Sequence, residues 1–178
     1  MKTNYLHSEI KIFNNILLNH QEIFQRIKFQ TNWNNSMHSR KTVSYGVPYN
    51  YSNMNYSVIP FPSEIQEMAY IVQEFLGYTP NNCLINYYNT GSSKMGFHSD
   101  QIDILDKNSG IAIISLGNER IMRFKDKNNE SLFVDFILKP NSLFFMSITI
   151  QKDWLHSILP DKSDLNNDRI SLTFRKLI

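Results

Sequence analysis

Apolar positions along this chain keep two different periods, and the change from one to the other divides it. Ile10, Phe13, Ile16 and Leu17, followed by Ile23, Phe24 and Ile27, fall at helical spacing between Ser8 and about Phe29. A break near Asn19-His20 makes one or two short helices the expectation. Pro62-Ser63-Glu64-Ile65-Gln66 starts another, because Ser63 and Gln66 have capping-box spacing and Ile65, Met68, Ala69, Val72, Phe75 and Leu76 continue as one stripe. Gly77 would end it. Beyond Gly77 the period shortens. Asn82 to Tyr88, Ile111 to Leu116, Ile121 to Lys125, Leu132 to Ile137, Leu143 to Met146 and Ile170 to Arg175 are short β-prone runs separated by turn residues. Without helical crossovers between them, they favour an antiparallel jelly roll over a parallel sheet. The fold class expected is mainly β, with helices toward the N-terminus.

Between Thr31 and Pro62 the chain is rich in Asn, Ser, Tyr and Pro, which suits short strands and loops bearing aromatic side chains. This stretch, about 30–62, could form a lid over a barrel spanning about 82–178. The length of 178 residues, with 42% hydrophobic and 13% aromatic content, supports one domain over 1–178 with a real core. A monomer is expected. The net charge of +2 tolerates a polyanionic partner but lacks the dense basic character of a dedicated nucleic-acid binder. No N-terminal apolar run has the length of a signal peptide or a membrane span, and the single cysteine, Cys83, excludes an intramolecular disulfide. A reducing, cytoplasmic setting without membrane contact is therefore expected. Cys83 precedes Leu84-Ile85 and reads as a small buried hydrophobe.

Candidate chemistry enters with His98-Ser99-Asp100. In a strand, residues two apart project from one face, so an imidazole and a carboxylate could grip one ion. A second histidine, His156, follows Asp153-Trp154-Leu155 and could come from another strand of the same barrel. Two histidines and one carboxylate leave adjacent coordination positions open and suit non-haem Fe(II), although zinc would accept the same groups. A lone His-x-Asp is common by chance, so its company matters. Arg169, Ser171, Thr173 and Arg175 alternate with Ile170, Leu172 and Phe174, which puts two arginines on one face. Turned into a barrel, two guanidinium groups would need anions such as a dicarboxylate; turned outward, they would be ordinary surface arginines. Asn86 and Tyr88 likewise share a face on an earlier strand.

Taken together, these motifs resemble the AlkB family of 2-oxoglutarate oxygenases. Asn86-Tyr87-Tyr88-Asn89-Thr90-Gly91, His98-Ser99-Asp100, Ile114-Ser115-Leu116-Gly117, Trp154-Leu155-His156-Ser157-Ile158 and Arg169 to Arg175 are similar to that family's motifs in order and spacing. The resemblance implies a double-stranded β-helix core, with N-terminal helices supporting one sheet. It implies Fe(II) held by His98, Asp100 and His156, with 2-oxoglutarate and O2 as cosubstrates. Arg169 would meet the distal carboxylate of 2-oxoglutarate, assisted by Tyr88 and Ser171, and Asn86 and Arg175 would lie near its other end. The implied reaction is hydroxylation of a C–H bond. Where that carbon is attached to a base nitrogen, the product collapses to formaldehyde and the unmodified base, which is demethylation.

Arg40 to Tyr51 resembles the substrate-lid segment of members acting on nucleic acid. Arg40 and Lys41 would flank phosphates, and Tyr45, Tyr49 and Tyr51 would wall an extruded base. Methylated DNA or RNA is therefore the expected substrate. One departure leaves room for others: Gln101 and Ile102 follow Asp100, where repair-type members often carry acidic residues. The rival is a hydroxylase of a small molecule, a free nucleoside or a protein side chain. A third reading, a non-catalytic binding domain, predicts a missing ligand or clamp arginine, and all three candidate ligands and both candidate arginines are present. A wide basic groove at Arg40 and Lys41 would favour nucleic acid, and a narrow enclosed pocket a small molecule.

Overall fold

The computed structural model describes residues 2–49, 58–163 and 166–178. Among these described residues, three helices, α1 (Lys2–Ser8), α2 (His20–Gln30) and α3 (Ser63–Leu76), accompany ten strands. A six-stranded sheet takes the order β1 (Ile10–Asn14), β8 (Ser142–Ser147), β5 (Gly110–Gly117), β10 (Arg169–Arg175), β3 (Asn82–Tyr88) and β2 (Lys41–Gly46). Facing it, a four-stranded sheet takes the order β4 (Met95–His98), β9 (Trp154–Ile158), β6 (Arg120–Asp126) and β7 (Phe133–Leu138). All pairings are antiparallel, and consecutive strands fall repeatedly in opposite sheets, as in the double-stranded β-helix expected.

Strand alternation divides the apolar side chains between two cores. On the outer face of the large sheet, Cys83, Ile85, Ile114, Ile170, Leu172 and Phe174 pack against Ile23, Phe24 and Ile27 of α2 and Ile65, Met68 and Val72 of α3. Its inner face and the small sheet enclose Ile113, Phe124, Phe136, Phe144, Met146 and Trp154. Burying the helical stripes against an already apolar sheet face is what holds these short helices folded, since isolated helices of 11 and 14 residues are marginal in water.

Two local expectations are corrected. The apolar spacing at Ile10 and Phe13 belongs to β1, which pairs with β8 from Ile10↔Met146 to Asn14↔Ser142. The capping box at Ser63 is not formed: Pro62 occupies the cap position without a side-chain bond, and the Ser63 hydroxyl donates to Glu64 instead. Gly77 ends α3 as expected, in the left-handed region at φ +77°. Among the described residues, no helix is long and apolar enough to cross a membrane.

Candidate metal centre

β4 and β9 pair through His98↔His156, so register alone brings the two imidazoles together, with ring centroids 4.3 Å apart. Asp100 is not on the strand as expected, for β4 ends at His98. The chain turns there, yet the carboxylate still converges: one ligand atom from each of His98, Asp100 and His156 lies within 4.8 Å of the others. The backbone fixes that turn through Gln151, whose Oε1 accepts from the Asp100 N–H at 2.9 Å.

Each group is prepared for an ion. His98 Nδ1 lies 2.9 Å from the Gly96 carbonyl, which can only accept, so Nδ1 carries the proton and Nε2 is left for a metal. Burial, then the neighbouring His98, push the His156 pKa down to about 3, which keeps its ring neutral and able to ligate. Burial alone would raise the Asp100 carboxyl. Arg175 and both imidazoles outweigh it and hold the group below the usual carboxylate range. Arg175 Nη2 donates to Asp100 Oδ1 at 3.0 Å, while Oδ2 is buried with no hydrogen-bond partner. A cation beside Oδ2 would satisfy it.

Deeper in, β3 and β10 lie side by side with Asn86↔Ser171 and Tyr88↔Arg169 in register. Asn86, Tyr88, Arg169, Ser171, Thr173 and Arg175 line one cavity with the three candidate ligands, in about 460 Å³ of empty space including its opening to solvent. Arg169 is fully buried, and its Nη2 donates to Ser115 Oγ at 2.9 Å. Its Nε and Nη1 meet no acceptor, and its guanidinium lies 5.3 Å from the Tyr88 ring. Desolvation lowers its pKa to about 10, so it remains a cation at neutral pH. A buried guanidinium with two unanswered N–H donors fits a carboxylate.

The lid residues separate. Arg40 is buried, and its Nε donates to Asn86 Oδ1 at 2.8 Å, so it does not reach outward to flank phosphates as expected. Lys41 and Tyr45 point away from the metal ligands, because β2 turns Thr42 and Ser44 inward and alternation sends their neighbours out. Tyr45 lines a recess with Arg26, Thr31 and Glu64 beneath the helices. Among the described residues, Arg40 and Lys41 thus take different sides: Arg40 borders the recess beside the cavity, and Lys41 faces away from it. Tyr49 does reach the site: its hydroxyl accepts from the Gln101 N–H at 2.9 Å, and its ring lies 4.1 Å from the Arg175 guanidinium. Tyr51 lies outside the described residues. An open recess beside the cavity is lined by Arg40, Tyr49, Phe97, His98, Asp100 and Gln101, among others.

Sequence reasoning missed Ser115, Gln151 and the Gly96 carbonyl. Ser115 had a signal, as the polar member of the inward set Ile111, Ile113 and Ser115 in β5. Gln151 sits in a 3-10 turn (Thr149–Lys152), where no strand or helix period singles it out.

Two histidines and a carboxylate inside a jelly roll, sharing a cavity with a buried arginine that has two unanswered donors, fit the class of non-haem iron oxygenases. The model of the 2OG-Fe(II) oxygenase superfamily matches residues 6–175, and the chain belongs to that superfamily, within which it is of the AlkB type. It is 28% identical over 146 residues to alpha-ketoglutarate-dependent dioxygenase alkB homolog 3 of Rattus norvegicus, covering 76% of this chain and 49% of that one. To the DNA oxidative demethylase ALKBH2 of Arabidopsis thaliana it is 27% identical over 150 residues, covering 72% and 48%. It thus spans about half the length of these curated relatives. The structure of OsALKBH1 superposes with a TM-score of 0.70 at 17% identity, covering 94% of this chain and 98% of that one, and shares its fold. The family's metal is Fe(II), with 2-oxoglutarate and O2 as cosubstrates.

Proposed function

We propose that this chain is an Fe(II)- and 2-oxoglutarate-dependent dioxygenase that removes N-linked methyl groups from nucleobases in DNA or RNA. The observation that carries the reading is the pairing of His98, Asp100 and His156, within 4.8 Å of one another, with Arg169, buried in the same cavity with two unanswered donors. His98, Asp100 and His156 would hold the iron, and Arg169 with Ser171 and Tyr88 would hold the far carboxylate of 2-oxoglutarate. The metal and cosubstrate supply O2 activation and oxidation of a C–H bond. The chain's own part is placement and exclusion of water. Met95, Ile113, Met122, Met146 and Ile158 give that cavity an apolar wall. Arg175 fixes the Asp100 carboxylate, leaving Oδ2 open. Tyr49 and Arg40 border the recess from which a base would approach. The curated relative printed as a DNA oxidative demethylase supports the substrate class. Residues 1–178 are read as one domain, since Leu6 and Leu177, near opposite ends of the chain, pack in one inner cluster.

The test is succinate release with Fe(II), 2-oxoglutarate and O2, with and without N-methylated DNA and RNA oligonucleotides whose masses are followed in the same tubes. Methyl loss matched by succinate is expected, and His98→Ala or Asp100→Ala should reduce both to background. Succinate indifferent to every oligonucleotide would move the substrate to a small molecule, a free nucleoside or a protein side chain. No succinate at all would favour a non-catalytic domain, and full turnover by the His98 variant would refute the metal assignment.

A further inference from the structure

Among the described residues, no helix covers the outer face of the four-stranded sheet, and that face begins at the recess. Alternation sends Ile121, Arg123 and Lys125 of β6 and Phe133, Asp135 and Ile137 of β7 outward, while Met122, Phe124, Phe136 and Leu138 fill the inner core. Phe97 of β4 and Phe133 of β7 are 42% and 45% exposed. Their strands are the two edges of the sheet, with β9 and β6 between them, yet the ring centroids are only 6.2 Å apart. Both side chains therefore reach inward over the intervening strands. Arg123 lies 5.5 Å from the Phe133 ring and Lys125 lies 6.0 Å from the Phe97 ring. Phe97 also lines the recess beside His98.

Single exposed hydrophobes are ordinary on protein surfaces. Two aromatic rings meeting across four strands, each near a cation, and one of them bordering a candidate active site, are a more specific arrangement. We infer that Phe97 and Phe133 form a stacking track for single-stranded nucleic acid, which holds nucleotides flanking the one delivered to the metal centre. This rests on the nucleic-acid reading above. Aromatic faces accept any base, so the track would be indifferent to sequence. A duplex keeps its bases stacked on each other and offers the rings little, so the track selects unpaired strands.

The charges refine the expectation. Asp135 holds Arg123 through two bonds of 2.7 Å. Lys125 meets Glu130 at the looser distance of 3.6 Å, and the Glu130 side chain is 87% exposed. Lys125 is thus the cation that can exchange its partner for a phosphate. Affinity should depend mostly on stacking and only slightly on salt. One phosphate contact to a single strand corresponds to a log–log slope of about −0.7.

The test uses the full chain, an unmodified oligothymidylate dodecamer for binding by anisotropy, and an N-methylated dodecamer and trinucleotide for turnover. Phe133→Ala and Phe133→Leu should each weaken dodecamer binding by on the order of tenfold, while Phe133→Trp should keep it and show quenched emission on binding. Trinucleotide turnover and oligonucleotide-independent succinate should be unchanged in all three. Lys125→Gln should flatten the salt dependence. Wild-type binding by Phe133→Ala would overturn the track, and so would full binding by Phe133→Leu, which would mark an apolar protein contact. Dealkylation of the dodecamer at wild-type rate and affinity by Phe133→Ala would remove the track while leaving the dealkylase reading intact. The expected Phe133 pattern in binding, with no methylated oligonucleotide turned over, would keep the track and remove the dealkylase.

Discussion

Arg169 is the residue whose position is hardest to explain by stability. A cation taken wholly out of water, with Nε and Nη1 lacking any acceptor, costs more than it returns. Its pKa is lowered, so the charged form is less comfortable in the folded chain than in the unfolded one. Holding it charged at neutral pH therefore works against folding, and the penalty is relieved only as pH rises through about 10. The cost makes sense if a carboxylate arrives. Arg169→Met should accordingly stabilise the ligand-free protein, by about 1–4 kcal/mol if it behaves as other apolar replacements of buried charges do. The same change should abolish the rise in melting temperature that 2-oxoglutarate gives the wild type. A variant that melts lower and still responds to 2-oxoglutarate would mean that Arg169 is a structural residue.

At the scale of elements, the centre is assembled by register. β4 and β9 supply the histidines, β10 the arginines and β3 the amide and phenol, so anything that shifts a strand displaces a functional group. Gly117, at the end of β5, protects one such register. It sits at φ +85°, and an added Cβ would meet the Asp168 carbonyl oxygen and the Phe24 ring at 2.7 Å each. Gly117→Ala should cost about 1–3 kcal/mol, read as a lower urea midpoint with an unchanged slope. An unchanged midpoint would mean that the turn relaxes. The six strands expected beyond Gly77 were legible because turn residues bound them and their inward and outward sets are each consistent. β1 was not legible, and the reason is geometrical. Ile10 packs in the inner core and Phe13 against the outer one. Three positions apart, they lie on opposite faces of a strand but would share a face of a helix, so a strand serving two cores imitates a helical stripe. β4 is short, contains Gly96 and has an irregular register, which left it without a period of its own. The candidate ligands were legible through their company, because His98-Ser99-Asp100, common by itself, stands in order with His156 and the Arg169 to Arg175 strand. Lys41 and Tyr45 lie on the face of β2 away from the cavity, because likeness to a substrate-lid segment does not say which face of a strand each residue takes, while Arg40, just before β2, borders the recess.

Across the whole molecule, the proposed metal ligands and the proposed anion site come from opposite layers. His98 and His156 belong to the four-stranded sheet, and Arg169 to the six-stranded one. A cosubstrate engaged by both would tie the layers together, so metal and 2-oxoglutarate should bind with positive coupling. With Mn(II) in the absence of O2, the two added together should raise the melting temperature by more than the sum of their separate effects. Simple additivity would indicate separate sites.

Cys83 lies on the other side of that large sheet, fully buried under the helices, with its thiol pushed up by desolvation. It is the chain's sole cysteine. If the proposed dioxygen chemistry holds, the protein keeps its most oxidisable side chain screened from the cavity by a layer of β-sheet and from solvent by a layer of helix. The same seclusion makes the thiol a native reporter: a sulfhydryl reagent gains access only when helices and sheet part, so its rate of capture times the breathing of the scaffold without touching the centre.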